Sequence, residues 1–133
     1  MGRLLRKFET AREFIPKPDI DRRDGVSVGI VSFGSNDPAI QEARDRLRDD
    51  GIESNYLRIR ALPLHDAVSD FVLAHDRVYV IENNFDGQMA KLMRMEIAHD
   101  THHMRSLPLG DGLPMTPHFV HESILREERK SNG

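Results

Sequence analysis

Apolar residues recur along the chain with two different spacings, and these alternate. Val26, Val28, Ile30, Val31 and Phe33 form a mostly apolar run closed by Gly34-Ser35, the pattern of a buried strand. Asp37-Pro38 then supplies an N-cap acceptor and a proline at the first helical position. Ile40, Ala43 and Leu47 repeat at helical spacing, and Gly51 stands where a glycine stop belongs. In a second strand, over 55–62, Leu57, Ile59 and Ala61 alternate with Arg58 and Arg60, so its cover is expected to be partial; Pro63 ends it. Ala67, Val68, Phe71 and Val72 mark the next helix face. Val78-Tyr79-Val80-Ile81 is a strand apolar on both sides that stops at Glu82. After Gly87 a helix carries Met89, Leu92, Met93 and Ile97. An extended piece follows near Met104–Leu107, then a Gly/Pro-rich loop, then a last helix from Thr116-Pro117 with Val120, Ile124 and Leu125 inward.

Three strand–helix repeats with short connections predict a parallel sheet with right-handed crossovers. The strands apolar on both faces, 26–33 and 78–81, belong in the middle, and the alternating one nearer an edge. Residues 1–24 read as an arm, because Pro16 and Pro18 suit no helix interior; a short edge strand fits at Pro18–Asp21, with Asp24-Gly25 as the turn. If the two central strands are neighbours, the crevice beyond their carboxyl ends is the expected contact site. Two polar loops lead there: Gly34-Ser35-Asn36-Asp37, and Glu82 through Asn84 and Gly87 to Gln88. Each has two readings. The first is either an N-cap turn or an anion contact at a helix N-terminus. The second is either tight-turn chemistry or a built contact surface.

Composition narrows the chemistry. The 133 residues are 38% hydrophobic and 31% charged with a net charge of −3, enough for one modest core and no basic field for nucleic acid. No run approaches the ~20 apolar residues of a membrane span. No apolar h-region follows the basic start, so the cytoplasm is the expected compartment. There is no cysteine, which removes disulfides, thiolate metal sites and Cys-ligated clusters from this chain.

Catalytic patterns are missing. The first loop lacks a P-loop lysine, no G-x-G-x-x-G follows the strand, and no G-x-S-x-G elbow occurs. His99, His102 and His103, beside Asp100, would share one face if the third helix continued. A helix end favours such groups anyway, and no fourth ligand is legible; His118 and His121 fare no better. Gly110-Asp111-Gly112 opens like a thiamine diphosphate metal motif. The chain, however, offers only Asn132 where an asparagine pair should follow, so a turn is the expectation. No metal site and no catalytic residue is therefore assigned to this chain.

Four ordered motifs, V-G-I-V-S-F-G-S-N-D-P-A-I-Q-E-A, R-I-R-A-L-P-L, V-Y-V-I-E-N-N-F-D-G-Q-M-A and G-D-G-L-P-M-T-P, closely resemble the C-terminal domain of the alpha subunit of 2-oxoacid:ferredoxin oxidoreductases, nearest the 2-oxoglutarate type. The entry segment R-K-F-E-T-A-R-E-F-I-P-K-P extends the likeness over nearly the whole chain. The resemblance implies a transketolase C-terminal-like α/β domain over 25–133: a three-layer α/β/α sandwich on a mostly parallel five-stranded sheet with an antiparallel first strand. It also implies a part in thiamine-dependent oxidative decarboxylation of a 2-oxoacid to acyl-CoA, with electrons passed to ferredoxin. Thiamine diphosphate, magnesium, iron–sulfur clusters and coenzyme A would then be held elsewhere in the complete complex, with none bound by this chain alone. The activating glutamate would lie in a pyrimidine-binding domain upstream of the region seen here, which implies a truncated or split alpha subunit, or a start placed too late. The family's E-Q-N is Glu82-Asn83-Asn84 here, with Glu82, Asn84, Gly87 and Gln88 matched. The expected role is assembly: Gly34, Ser35, Asn36, Asp37, Glu82, Asn84, Gly87 and Gln88 would meet a beta subunit or a second alpha copy in an oligomer. A free-standing small-molecule or anion-binding module is the alternative, and an isolated enzyme a weaker one.

Overall fold

The computed structural model describes residues 17–33, 37–60, 64–82, 88–97, 99–108 and 115–132. Five strands, β1 (Asp19–Asp21), β2 (Val28–Phe33), β3 (Ser54–Ile59), β4 (Arg77–Glu82) and β5 (Met104–Pro108), form one sheet in the order β1-β3-β2-β4-β5. β1 pairs antiparallel with β3, and all other pairs are parallel. Four helices cover it: α1 (Asp37–Asp49), α2 (Asp66–Leu73), α3 (Gln88–Glu96) and α4 (Pro117–Asn132). The expected α/β sandwich, antiparallel edge strand included, is what the chain forms.

Period-two alternation in the central strands sorts the core into two layers. Val28, Ile30, Tyr79 and Ile81 face one way and pack with Ile40, Ala43 and Leu47 of α1 and Val120, Ile124 and Leu125 of α4. Val31, Val78 and Val80 face the other way, onto Val68, Phe71 and Val72 of α2 and Ala90 and Met93 of α3. Gly51 ends α1 at φ +86°, which an L side chain rarely adopts. Gly29 answers a different demand. A Cβ there would lie 2.9 Å from the Phe71 ring and 3.1 Å from the His75 ring, so α2 closes on β2 only over a glycine.

Two expectations need correction. β3 is covered more fully than its alternation implied: Asn55 is 1% and Tyr56 3% exposed. Being one strand in from the edge, it is flanked on both sides by β1 and β2, and Asn55 and Tyr56 find partners inside the fold. The histidine segment 99–103 does not continue α3, which ends at Glu96; it is a turn leading into β5.

Candidate functional site

β2 and β4 are adjacent and parallel, with Ser32 opposite Ile81, so both carboxyl ends emerge at one rim of the sheet. The helix after β2, α1, packs on one face, and the helix after β4, α3, on the other. That divergence is the topological switch point at which open α/β sheets build their contacts. Asp37 starts α1 and Gln88 starts α3, so the two polar loops both depart from this rim. Gly34, Ser35, Asn36, Asn84 and Gly87 lie outside the described residues, and Gln88 is exposed at the first position of α3.

Glu82 is the best-defined member of the set. It is 4% exposed, and its carboxylate accepts the backbone N–H groups of Met89 and Ala90, the latter at 3.2 Å, and the Ser106 hydroxyl at 3.0 Å. A buried carboxylate is tolerated here because the positive end of α3 and a neighbouring hydroxyl satisfy it. Chemically it is a helix cap that ties β4, α3 and β5 together. It also sets a carboxylate of the chain itself against the first N–H groups of α3.

Phe33 was read from the sequence as part of a buried run, yet it is 42% exposed. It stands one residue beyond Ser32, level with Glu82, on the same side of the sheet as Val31. A large aromatic half in water beside a capped helix end is the kind of anchor that protein contacts use. Its place as the last residue of the run was the only signal in the sequence. Arg58, level with Ser32 on β3, has a buried Nε with no hydrogen-bond partner among the described residues. Nearby, the Ser32 and Tyr56 hydroxyls pair at 2.6 Å.

Four of the histidines, His65, His102, His103 and His121, make contacts within the fold. His65 caps α2 by accepting the Ala67 N–H at 3.0 Å, and His103 donates to the Val72 carbonyl at 2.8 Å. His121 pairs with Asp50 at 2.6 Å, and His102 with Asp100, whose carboxyl the His102 backbone N–H holds below its usual range. Among the described residues no three His, Asp or Glu side chains gather as metal ligands. None of their helices is long and apolar enough to cross a membrane.

Gly110-Asp111-Gly112 lies outside the described residues, and among those described the donor set does not fit thiamine diphosphate or its magnesium. Buried carboxylates are what such a site needs, and the two found among the described residues, Glu82 and Glu128, are already engaged. Glu82 caps α3, and Glu128 binds Arg77 and the Tyr79 hydroxyl. A chain without cysteine also supplies no thiolate to an iron–sulfur cluster.

No family model matches the chain. Over 99 residues, 71% of its length, it is 35% identical to the alpha subunit of 2-oxoacid:ferredoxin oxidoreductase 2 from Aeropyrum pernix. The alpha subunit of oxidoreductase 1 from the same organism is likewise 35% identical over 101 residues. The chain spans about 15% of the length of these relatives. Among solved structures, 2-oxoglutarate:ferredoxin oxidoreductase from Magnetococcus marinus, with 2-oxoglutarate, coenzyme A and succinyl-CoA bound, superposes at a TM-score of 0.78. That match has 24% identity and covers 92% of this chain and 22% of that one. The alpha chain of a probable 2-oxoacid ferredoxin oxidoreductase from Thermoplasma acidophilum gives 0.55 at 19% identity, over 83% of this chain and 95% of that one. A split-gene transketolase, described as an inactive beta4 tetramer, gives 0.60 at 17% identity, over 81% and 40%. These three establish the shared fold.

Proposed function

We infer that this chain, a homologue of the alpha subunits of 2-oxoacid:ferredoxin oxidoreductases, is a non-catalytic assembly domain of such an enzyme. The observation that carries this reading is the shared rim of β2 and β4. Both polar loops leave from it, Phe33 stands half-exposed on it, and Glu82, the buried carboxylate near it among the described residues, is a structural cap. A surface so arranged suits contact with another polypeptide better than chemistry.

In this role the rim packs against a beta subunit or another alpha copy and helps wall the thiamine site. Thiamine diphosphate, magnesium, the clusters and coenzyme A are held by other parts of the complex. The complex oxidises a 2-oxoacid to acyl-CoA and reduces ferredoxin. The Thermoplasma alpha chain, 95% of which is matched by this domain, supports the idea that such a domain can stand as a separate polypeptide beside its partners.

Co-purification of the tagged chain with the beta subunit and the thiamine-binding part tests the reading. Phe33→Asp and Gln88→Ala should each reduce recovery of partners at least tenfold while the circular dichroism spectrum stays that of wild type. Undiminished recovery with both variants overturns the assignment. The chain alone should show no turnover with 2-oxoglutarate, coenzyme A and a viologen dye; turnover without partners would make it an enzyme instead. Calorimetric titration with coenzyme A separates the small-molecule module, which requires tight binding by the lone chain.

A further inference from the structure

One buried imidazole lies far from the rim, and the proposed function does not use it. His75 follows α2 and is 5% exposed. Its Nδ1 is 2.7 Å from the Phe71 carbonyl, and a carbonyl only accepts, so Nδ1 carries the proton. Its Nε2 is 2.9 Å from Asn55 Nδ2. The orientation of the Asn55 amide is set independently, since its Oδ1 accepts the Arg23 N–H at 2.9 Å and its Nδ2 donates to the Arg23 carbonyl at 3.0 Å. The second Asn55 N–H therefore points at Nε2, which must accept it. Only the neutral Nδ1–H tautomer satisfies every partner.

A proton on Nε2 would set N–H against the Asn55 N–H across 2.9 Å in a buried site. Turning the Asn55 amide to accept that proton would break both of its bonds to Arg23. The ring is confined, because it packs on Phe71 at 4.4 Å between centroids and takes the space a Cβ on Gly29 would need. The segment that would yield is bounded on both sides. Before it, Asp21 is held by Arg44 at 2.9 Å; after it, the Ser27 carbonyl accepts the N–H groups of Asp76 and Arg77 at 2.9 and 3.1 Å.

We propose that His75 is an acid-sensitive latch: while neutral it holds the stretch 22–25 against the sheet through Asn55, and its protonation frees that stretch while the core stays folded. The charged groups facing it are Arg22 from the arm, Asp76 from its own turn and His103 from the turn before β5. Burial is the largest influence and disfavours the charged ring, as Arg22 and His103 also do; the Phe71 carbonyl and Asp76 favour it, and the balance holds His75 below its ordinary value of 6.5. In the opened state the imidazole regains water and returns towards that value. The opening constant is therefore flat above pH about 6.5, climbs by at most about tenfold per pH unit below it, and levels off once the closed-state value is passed.

Amide exchange of the full chain by NMR, corrected for intrinsic rates, reads this latch directly. The Arg23 amide should lose at least tenfold protection between pH 7 and 5, while amides of β2 and β4 keep theirs. Imidazole nitrogen shifts should show the Nδ1–H tautomer at pH 7.5. His75→Gln should remove the pH dependence of Arg23 protection. Asn55→Asp, which faces Nε2 with a carboxylate, should raise the His75 midpoint and reverse the preference. Arg23 protection that is constant from pH 7 to 5, that falls in step with β2 and β4, or that keeps its pH dependence in His75→Gln overturns the proposal. So does a lowered midpoint in Asn55→Asp.

Discussion

On the α1/α4 face, buried polar groups join elements distant in sequence. Glu128 of α4 accepts both the Arg77 guanidinium, at 2.6 and 3.0 Å, and the Tyr79 hydroxyl of β4. Arg44 of α1, 5% exposed, binds the Ser54 carbonyl at 2.8 Å and Asp21 at 2.9 Å and lies over the Tyr56 ring, pinning the edge strand β1. The α2/α3 face is mostly aliphatic, with its polar contacts at the two ends of the strands: Glu82 capping α3 at the carboxyl rim, and His75 with Asn55 at the other. The difference is one of topology. α2 and α3 each pack directly after the strand that precedes them, and apolar burial suffices to place a short connection. β1 and α4 are the first and last elements in sequence order among the described residues, and directional bonds fix where they dock.

Breaking that distinction on the polar face should produce the largest effect. Glu128→Ala leaves a tyrosine hydroxyl and a guanidinium without their shared acceptor, and we expect a loss of about 3 kcal/mol in urea unfolding. Arg77, one-third exposed, softens the loss below the upper end for a buried pair. On the aliphatic face the equivalent injury is steric. Gly29→Ala drives a methyl group into Phe71 and His75, for about 1–3 kcal/mol by the same measurement. Equal stability of the two variants and wild type would erase the contrast.

The two faces should also fail at opposite ends of the pH scale. Tyr79 is pushed well above its ordinary value of 10.0 by burial, and further by the Glu128 carboxylate. The unfolded chain loses that phenolic proton first, so the stabilisation is complete below pH about 10 and declines as pH rises past it. His75, depressed below 6.5, contributes stability that is complete above that value and declines as pH falls below it. Thermal unfolding across the pH range should therefore fall off on both sides. Tyr79→Phe should flatten the alkaline limb and His75→Gln the acid one. Exchanged effects would refute the division.

The smallest expected effect on stability sharpens the functional side of the comparison. Phe33→Ser at the rim should change unfolding free energy by no more than about 0.5 kcal/mol while abolishing partner recovery. A large destabilisation would make Phe33 a core residue after all.

Local pattern was sufficient for much of this protein. Period-two and helical spacings placed β2, α1, β4 and α4, the Pro-rich entry announced β1, and Gly51 marked the end of α1, because each follows from steric and burial preferences within about ten residues. The central placement of β2 and β4 was legible from their apolar character on both faces, but their adjacency, and so the shared rim, came from the fold. Long-range pairings were not legible. Arg44 and Glu128 look like ordinary charges on helices, and Asn55 and His75 like loop or edge residues; only the folded chain brings them to partners 10 to 51 positions away. Phe33 is the reverse case, apolar in sequence and left half in water by the geometry of the rim. Side-chain periodicity tells which way a residue points, but burial and partnership depend on what arrives from elsewhere, and that is a property of the tertiary structure.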